Sequence, residues 1–160
     1  MTVLVCSLKN EIPQSIPNDG QYHVVRYPLV VSAEPYDVHG MHQKVQPDGY
    51  EIRDWRHDDR SGLIWPARAG WGSLTAVLYW EAGDYSEVRD RFVRDPLDLA
   101  GGYDSTATED HPPTPGGQFL HKSHELFVTP GTPLAVMVRH NASQPRSLLL
   151  TEFKLAIHPT

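Results

Sequence analysis

The sequence predicts an all-β fold, an antiparallel β-sandwich, and two features of the chain support that prediction. The first is an alternation of apolar and polar residues, which is the pattern of strands with one buried face. The second is the placement of the fourteen Pro and twelve Gly residues, most of which separate the alternating segments, as turns do. The strongest alternating segments are residues 73–80, 133–140 and 147–157.

The polar stretches between these segments are predicted to be loops. Short strands are expected at residues 2–8 and 22–27, where apolar residues cluster. Residues 32–59 and 99–117 are polar and rich in Pro, Gly and Asp, so we predict a long loop in each place. The length suits one domain, and we expect residues 1–160 to form a single β-sandwich.

The C-terminal half is predicted in more detail. Residues 74–80 are apolar on both faces, which predicts a central strand that is covered on both sides. Strands are expected at residues 118–128, 134–140 and 148–157, and the short links between them predict an antiparallel meander. The Pro130-Gly131 pair in the first link suits a type II turn.

One short helix is predicted near residues 84–93. Asp84 and Glu87 have the spacing of a capping box, in which each side chain satisfies a backbone N–H of the first turn. Val88 and Phe92 are four residues apart, so they would share one face of a helix.

Composition excludes several classes of partner. The formal net charge is −6 and no basic run is present, whereas a nucleic-acid-binding protein needs a basic surface to meet phosphate. No stretch approaches the roughly 20 apolar residues of a membrane span, and residues 1–8 lack the features of a signal peptide. We therefore expect neither nucleic acid nor membrane as a partner.

Histidine is the residue type that could indicate catalysis or a metal site, because neutral imidazole is a good ligand for Zn²⁺. His39 and His42 lie near Asp37 in a predicted loop and could converge on a metal. His121 and His124 lie in a predicted strand, where residues three apart point to opposite faces, so they cannot chelate together. No Gly-x-Ser-x-Gly nucleophile motif is present. We assign no catalytic, cofactor-binding or metal residue and expect a protein that is not an enzyme.

Exposed aromatic side chains are the strongest candidates for contact with a partner. Trp55, Trp65, Trp71 and Tyr103 are predicted as interface or glycan contacts. Trp65 precedes a proline and Trp71 lies between two glycines, so both are expected in loops and partly exposed. Aromatic rings of this kind either stack on sugars or anchor subunits, and the sequence leaves both alternatives open.

Four segments carry a resemblance to a known group of proteins. They are residues 58–66 (DDRSGLIWP), 70–76 (GWGSLTA), 127–134 (FVTPGTPL) and 152–159 (EFKLAIHP). Together they resemble small virion structural proteins, head-decoration or minor tail proteins, of tailed bacteriophages that infect actinobacteria. The resemblance implies a jelly-roll-like sandwich, self-association that is often trimeric, and docking on a capsid or tail lattice.

Three functional hypotheses follow. The first is a non-enzymatic virion component, assembled in the host cytoplasm, whose partners are copies of itself and the major capsid or tail proteins. The second is a carbohydrate-binding sandwich, which either recognises a host glycan as a receptor-binding protein or acts as a free module. The third, and weakest, is a metal-dependent sandwich enzyme.

Overall fold

A computed structural model describes residues 2–29, 36–112, 114 and 116–160. The described part of the chain contains nine strands and two short 3-10 turns, at Trp55–His57 and Asp59–Gly62. The strands are β1 (Leu4–Asn10), β2 (Gln14–Ile16), β3 (His23–Val24), β4 (Gly70–Trp80), β5 (Val88–Arg94), β6 (Asp104–His111), β7 (Gln118–Val128), β8 (Leu134–His140) and β9 (Arg146–Pro159). In the described residues, no helix is long and apolar enough to cross a membrane.

The strands form two antiparallel sheets that pack face to face. Sheet A has the order β1-β9-β4-β7, with the short β2 also paired to β9. Sheet B has the order β3-β8-β5-β6. Consecutive strands repeatedly change sheets, which is the connectivity of a jelly roll. The predicted all-β, jelly-roll-like sandwich is therefore confirmed.

The space between the sheets holds the main core, and period-two burial builds it from both sides. On β4, Leu74, Ala76, Leu78 and Trp80 are almost fully buried, while the residues between them are only partly covered. Phe153 on β9 lies between the rings of Tyr27 and Phe92, with centroid distances of 6.3 and 6.1 Å. The core thus joins the two sheets through aromatic contacts.

The strand β4 lies between β9 and β7, so its predicted central position is confirmed. Its predicted burial on both sides is wrong. Thr75, Val77 and Tyr79 are only partly covered, because no other layer of the described chain packs on that face of sheet A. The second apolar face of β4 is therefore available for contact with another molecule.

The predicted helix near residues 84–93 is wrong, because most of that segment is strand β5. A spacing of four residues fits both a helix face and one side of a strand, so Val88 and Phe92 were ambiguous. Asp84 does not cap a helix either: its carboxylate accepts hydrogen bonds from the backbone N–H of Ser143 and the guanidinium of Arg146. Pairing with β6 and β8 decides the conformation.

The two predicted long loops have different outcomes. Of residues 32–59, residues 32–35 lie outside the described residues, and the rest contain no strand, only isolated bridges and the turn Trp55–His57. The loop predicted at residues 99–117 is wrong in part, because β6 occupies its centre and pairs with β5. The sequence of β6 is polar because both of its faces are largely exposed.

The predicted C-terminal meander is also wrong. The strand β8 belongs to sheet B, whereas β7 and β9 belong to sheet A and do not pair with each other. The short links cross the roughly 10 Å between the sheets instead of turning back within one sheet. The turn itself was predicted correctly, since Gly131 has a φ of 85° after Pro130, as a type II turn requires.

A buried ionic cluster closes the side of the sandwich between β6 and β7. Lys122 on β7 points into the core, where its Nζ lies 3.1 Å from Asp90 Oδ1 and 2.7 Å from Glu109 Oε1. His111 Nε2 lies 2.7 Å from the other oxygen of Asp90. Lys122 and Asp90 are only 2% and 1% exposed. Because the two charges neutralise each other, they can both be buried between the sheets.

Two histidines, His42 and His140, are buried and hydrogen-bonded to backbone carbonyl groups. His42 Nε2 donates to the carbonyl of Ser61 at 2.6 Å, and His140 Nε2 donates to the carbonyl of Ile16 at 2.8 Å. The backbone N–H of Ala142 donates to His140 Nδ1 at 3.1 Å, so the neutral ring is the form that fits. Burial lowers the pKa of both histidines below the ordinary value of 6.5.

This burial predicts a loss of stability below pH 6.5. Below this pH, His42 and His140 become protonated in the unfolded chain but stay neutral in the folded chain. The free energy of unfolding therefore falls as the pH drops toward the lowered pKa values. We expect the Tm to be lower at about pH 5.5 than at about pH 7.5. The decrease should be smaller in His140→Gln and unchanged in the exposed control His121→Gln. An equal decrease in the two variants would contradict this explanation.

A candidate self-association face on sheet A

The face of sheet A that points away from the core carries aromatic residues at both ends. Strand register places Trp71 on β4 beside Phe127 on β7 and His158 on β9. At the other end, Tyr79 lies between Phe119 and Leu150. We call this surface, from Trp71 to Phe119 across β9, β4 and β7, the outer face of sheet A.

The aromatic side chains on this face are unusually exposed. Phe119 is 65% exposed, Trp71 47% and Phe127 44%. The Phe119 ring is held in place by the ring of Tyr79, whose centroid lies 4.0 Å away. Single exposed apolar residues are common, but three large aromatic rings on one side of one sheet make this face a candidate for contact with another molecule.

The middle of the outer face is polar and carries both signs of charge. Ser73 Oγ donates to Glu125 Oε1 at 3.2 Å, and Lys154 Nζ lies 3.3 Å from Glu152 Oε1. Both pairs sit between the two aromatic ends. A surface with acidic and basic groups side by side can be complementary to a copy of itself.

Sheet B differs, because the chain covers its outer face. Val93, Ala135 and Met137 project from β5 and β8 away from the main core and pack against Leu63 and Trp65. All five residues are buried. The segment that follows the 3-10 turns therefore shields sheet B, while no described segment shields the aromatic face of sheet A.

Two edge strands, β7 and β6, have features that oppose pairing with other strands. The strand β7 forms one edge of sheet A, and its Lys122 turns a charge inward. The strand β6 forms one edge of sheet B and has an irregular register around Ala107, whose φ is 51°. Inward charges and bulges are devices that block edge-to-edge association. A contact through the outer face of sheet A is therefore favoured over a contact through these edges.

The four aromatic residues predicted from the sequence do not form one site. Trp71 lies on the outer face of sheet A, within β4 and not in a loop. Trp65 was expected to be partly exposed, but it is only 5% exposed because it covers sheet B. Trp55 is half-buried in a 3-10 turn, and Tyr103, 47% exposed, precedes β6. Whether any of them contacts a partner stays a prediction.

Two members of the aromatic face, Phe119 and Phe127, were missed in the sequence. Phe119 and Phe127 are separated by eight residues on one strand, so they share a face, and Tyr79 lies opposite Phe119. The signal was present as aromatic residues at odd positions in residues 118–128. That these aromatic residues lie on an outer face could be found only after the partner strands of β7 were known.

The candidate metal residues do not converge. The carboxylate of Asp37 accepts hydrogen bonds from the backbone N–H groups of Met41 and His42, and His42 is buried against Ser61. His121 is exposed on the outer face of sheet A, whereas His124 bonds Thr106 on the other side of β7. Among the described residues, no group of three or more His, Cys, Asp or Glu is placed to hold a metal ion.

Comparison with known proteins supports the fold. No protein-family model matches the chain, and no curated protein matches it. Among solved structures, the chain is similar to Eiger TNF from S. frugiperda, with a TM-score of 0.64, 16% identity, and coverage of 99% of this chain and 94% of that one.

Two further solved structures are similar at lower scores. Murine APRIL gives a TM-score of 0.56 at 12% identity, with coverage of 98% of this chain and 100% of that one. The globular domain of zebrafish complement 1qA gives a TM-score of 0.57 at 11% identity, with coverage of 96% of this chain and 95% of that one. The fold is the jelly roll that TNF and C1q domains share.

Proposed function

We propose that the protein is a non-enzymatic structural module that self-associates through the outer face of sheet A. The observation that carries this proposal is the exposure of Trp71, Phe119 and Phe127 on one side of one sheet. Burying these rings against a second copy would remove apolar surface from water, which is the main driving force of association. Aromatic side chains are also the residues that most often dominate the energy of an interface.

The proposed partner is another copy of this chain because the outer face has the charge pattern that such a contact needs. Glu125, Glu152 and Lys154 share this face, and Lys154 Nζ lies 3.3 Å from Glu152 Oε1. A strongly acidic or basic partner would leave one of these signs unmatched, whereas a partner of mixed charge, such as another copy of this chain, can match both. We propose a closed homo-oligomer, and the resemblance of the sequence favours a trimer.

We further propose that this oligomer belongs to the virion of a tailed bacteriophage and is assembled in the host cytoplasm. The support is the resemblance of residues 58–160 to head-decoration and minor tail proteins. A jelly roll with protected edges is compatible with such a role. In this proposal, the outer face of sheet A joins the copies, and the loops contact the major capsid or tail proteins.

The self-association face can be tested by two charge-introducing variants. Trp71→Glu and Phe119→Glu should each weaken association by about 2 kcal/mol or more, which is roughly thirtyfold or greater in the dissociation constant. Sedimentation velocity should then show a shift toward the 18.0 kDa single chain.

The matched control is Tyr103→Glu, because Tyr103 is an aromatic residue with the same 47% exposure as Trp71 but lies outside the outer face of sheet A. This control should keep the sedimentation behaviour of the unaltered protein. If Trp71→Glu and Phe119→Glu associate as the unaltered protein does, the proposed face is wrong.

A further inference from the structure

A separate cavity lies on the side of the sandwich that β2 borders. It has a volume of about 370 Å³ and is enclosed by the connection between β1 and β2 on one wall and by the 3-10 turn Trp55–His57 on the other. The residues that shape it include Asn10, Ile12, Arg26, Trp55, Arg56 and His57. Its size is within the range of small-molecule sites, roughly 300–1,000 Å³.

The charge of this cavity differs from that of the whole protein. The chain has a net charge of −6, but no acidic side chain lines the cavity, and Arg26, Arg56 and His57 all do. Asp59 neutralises Arg26, so Arg56 is the cation of this lining that can attract an anionic ligand.

Internal hydrogen bonds connect two of these residues, Arg26 and His57, to their neighbours. Arg26 Nε donates to Asp59 Oδ1 at 2.9 Å, and its Nη1 donates to the carbonyl of Arg56 at 2.6 Å. His57 Nδ1 lies 2.7 Å from Asp54 Oδ2. The Arg26 contacts fix one wall of the cavity before any ligand binds, which reduces the entropy that binding would cost.

Arg56 and Trp55 are the residues left available for a ligand. The Arg56 guanidinium lies 5.6 Å from the centre of the Trp55 ring, and it forms no ion pair with any described carboxylate. Trp55 is half-buried, and Ile12 leaves 41% of its surface exposed at the same cavity. The cavity therefore offers a spare charged donor beside an apolar, aromatic surface.

We propose that this cavity binds an acidic monosaccharide unit, of the uronic acid class. The carbon-bound hydrogens of a pyranose ring would pack on Trp55, and the carboxylate would pair with the Arg56 guanidinium, which can donate two parallel hydrogen bonds. The cavity has room for one sugar ring. This binding is independent of the outer face of sheet A, so it does not rest on the proposed self-association.

The test is a titration of the whole protein with glucuronate, followed by chemical shifts of the Trp indole signals and by calorimetry. We expect saturable binding in the millimolar range, weakened by salt. Glucose, which lacks the carboxylate, and acetate, which lacks the ring, should each bind about tenfold or more weakly. The variants Trp55→Ala and Arg56→Gln should lose glucuronate binding by a similar factor.

Arg53→Gln is the matched control, because Arg53 lies on the same loop but borders a different, adjacent cavity. It should bind glucuronate as the unaltered protein does. Arg56 is exposed, so Arg56→Gln keeps the test valid even if Trp55→Ala fails to fold. Absence of saturation by glucuronate, equal binding of acetate, or tighter binding of an oligoglutamate peptide would each overturn the proposal.

Discussion

Replacing Lys122 with alanine is expected to destabilise the fold by about 3–5 kcal/mol, because the buried carboxylate of Asp90 would lose the cation that balances it. Asp90 is 1% exposed, so water cannot replace the missing charge without opening the sandwich. Urea denaturation should show the loss directly. Glu109 is less affected, since its side chain is 47% exposed.

Two further variants separate the ionic cause from a loss of packing. Lys44→Ala removes a lysine from an exposed ion pair with Glu51, at 3.4 Å, and should cost less than about 1 kcal/mol. Combining Lys122→Met with Asp90→Leu should recover most of the stability that Lys122→Ala loses, because the pair is replaced by apolar groups of similar size. If Lys122→Ala lowers the free energy of unfolding no more than Lys44→Ala does, the buried ion pair does not hold the two sheets together.

Replacing Asp95 with asparagine is expected to cost about 2–4 kcal/mol. Asp95 is fully buried, and its carboxylate accepts hydrogen bonds from the backbone N–H groups of Leu99, Ala100 and Gly102 at 2.7, 2.8 and 3.1 Å. Asparagine keeps the size of the side chain, but its NH₂ group would face N–H donors. The segment that leads from β5 to β6 should then lose its fixed conformation.

Asp98 provides a matched control within the same turn. Its φ of 56° is close to the 50° of Asp95, and asparagine tolerates this left-handed conformation, so backbone strain is the same in both variants. Asp98 is exposed, and Asp98→Asn should change the free energy of unfolding by less than about 0.5 kcal/mol. Equal stabilities for Asp95→Asn and Asp98→Asn would show that the carboxylate does not organise this segment.

The fold class could be predicted from the sequence because period-two burial is a local property of each strand. Strand partners could not, because they depend on contacts distant in sequence. At Val88 and Phe92 the spacing fitted two conformations, and pairing of β5 with β8 selected the strand. The strand β6 was missed because both of its faces are largely exposed, so its sequence shows no alternation of apolar and polar residues.

The same limit applies to the aromatic residues. Trp65 and Trp71 were both predicted to be partly exposed, because each lies next to turn-forming residues. Trp65 is buried because it covers sheet B, whereas Trp71 is exposed because nothing in the described chain covers the outer face of sheet A. The difference between them is set by the position of each sheet in the sandwich, which no local pattern contains.

The mass of the unaltered protein in solution tests the central claim most directly. Light scattering at a low and a high protein concentration should give a multiple of the 18.0 kDa chain mass, and three times that mass for the proposed trimer. The higher concentration should show the larger or equal mass, as association requires. A mass of 18.0 kDa at both concentrations would contradict self-association through the outer face of sheet A.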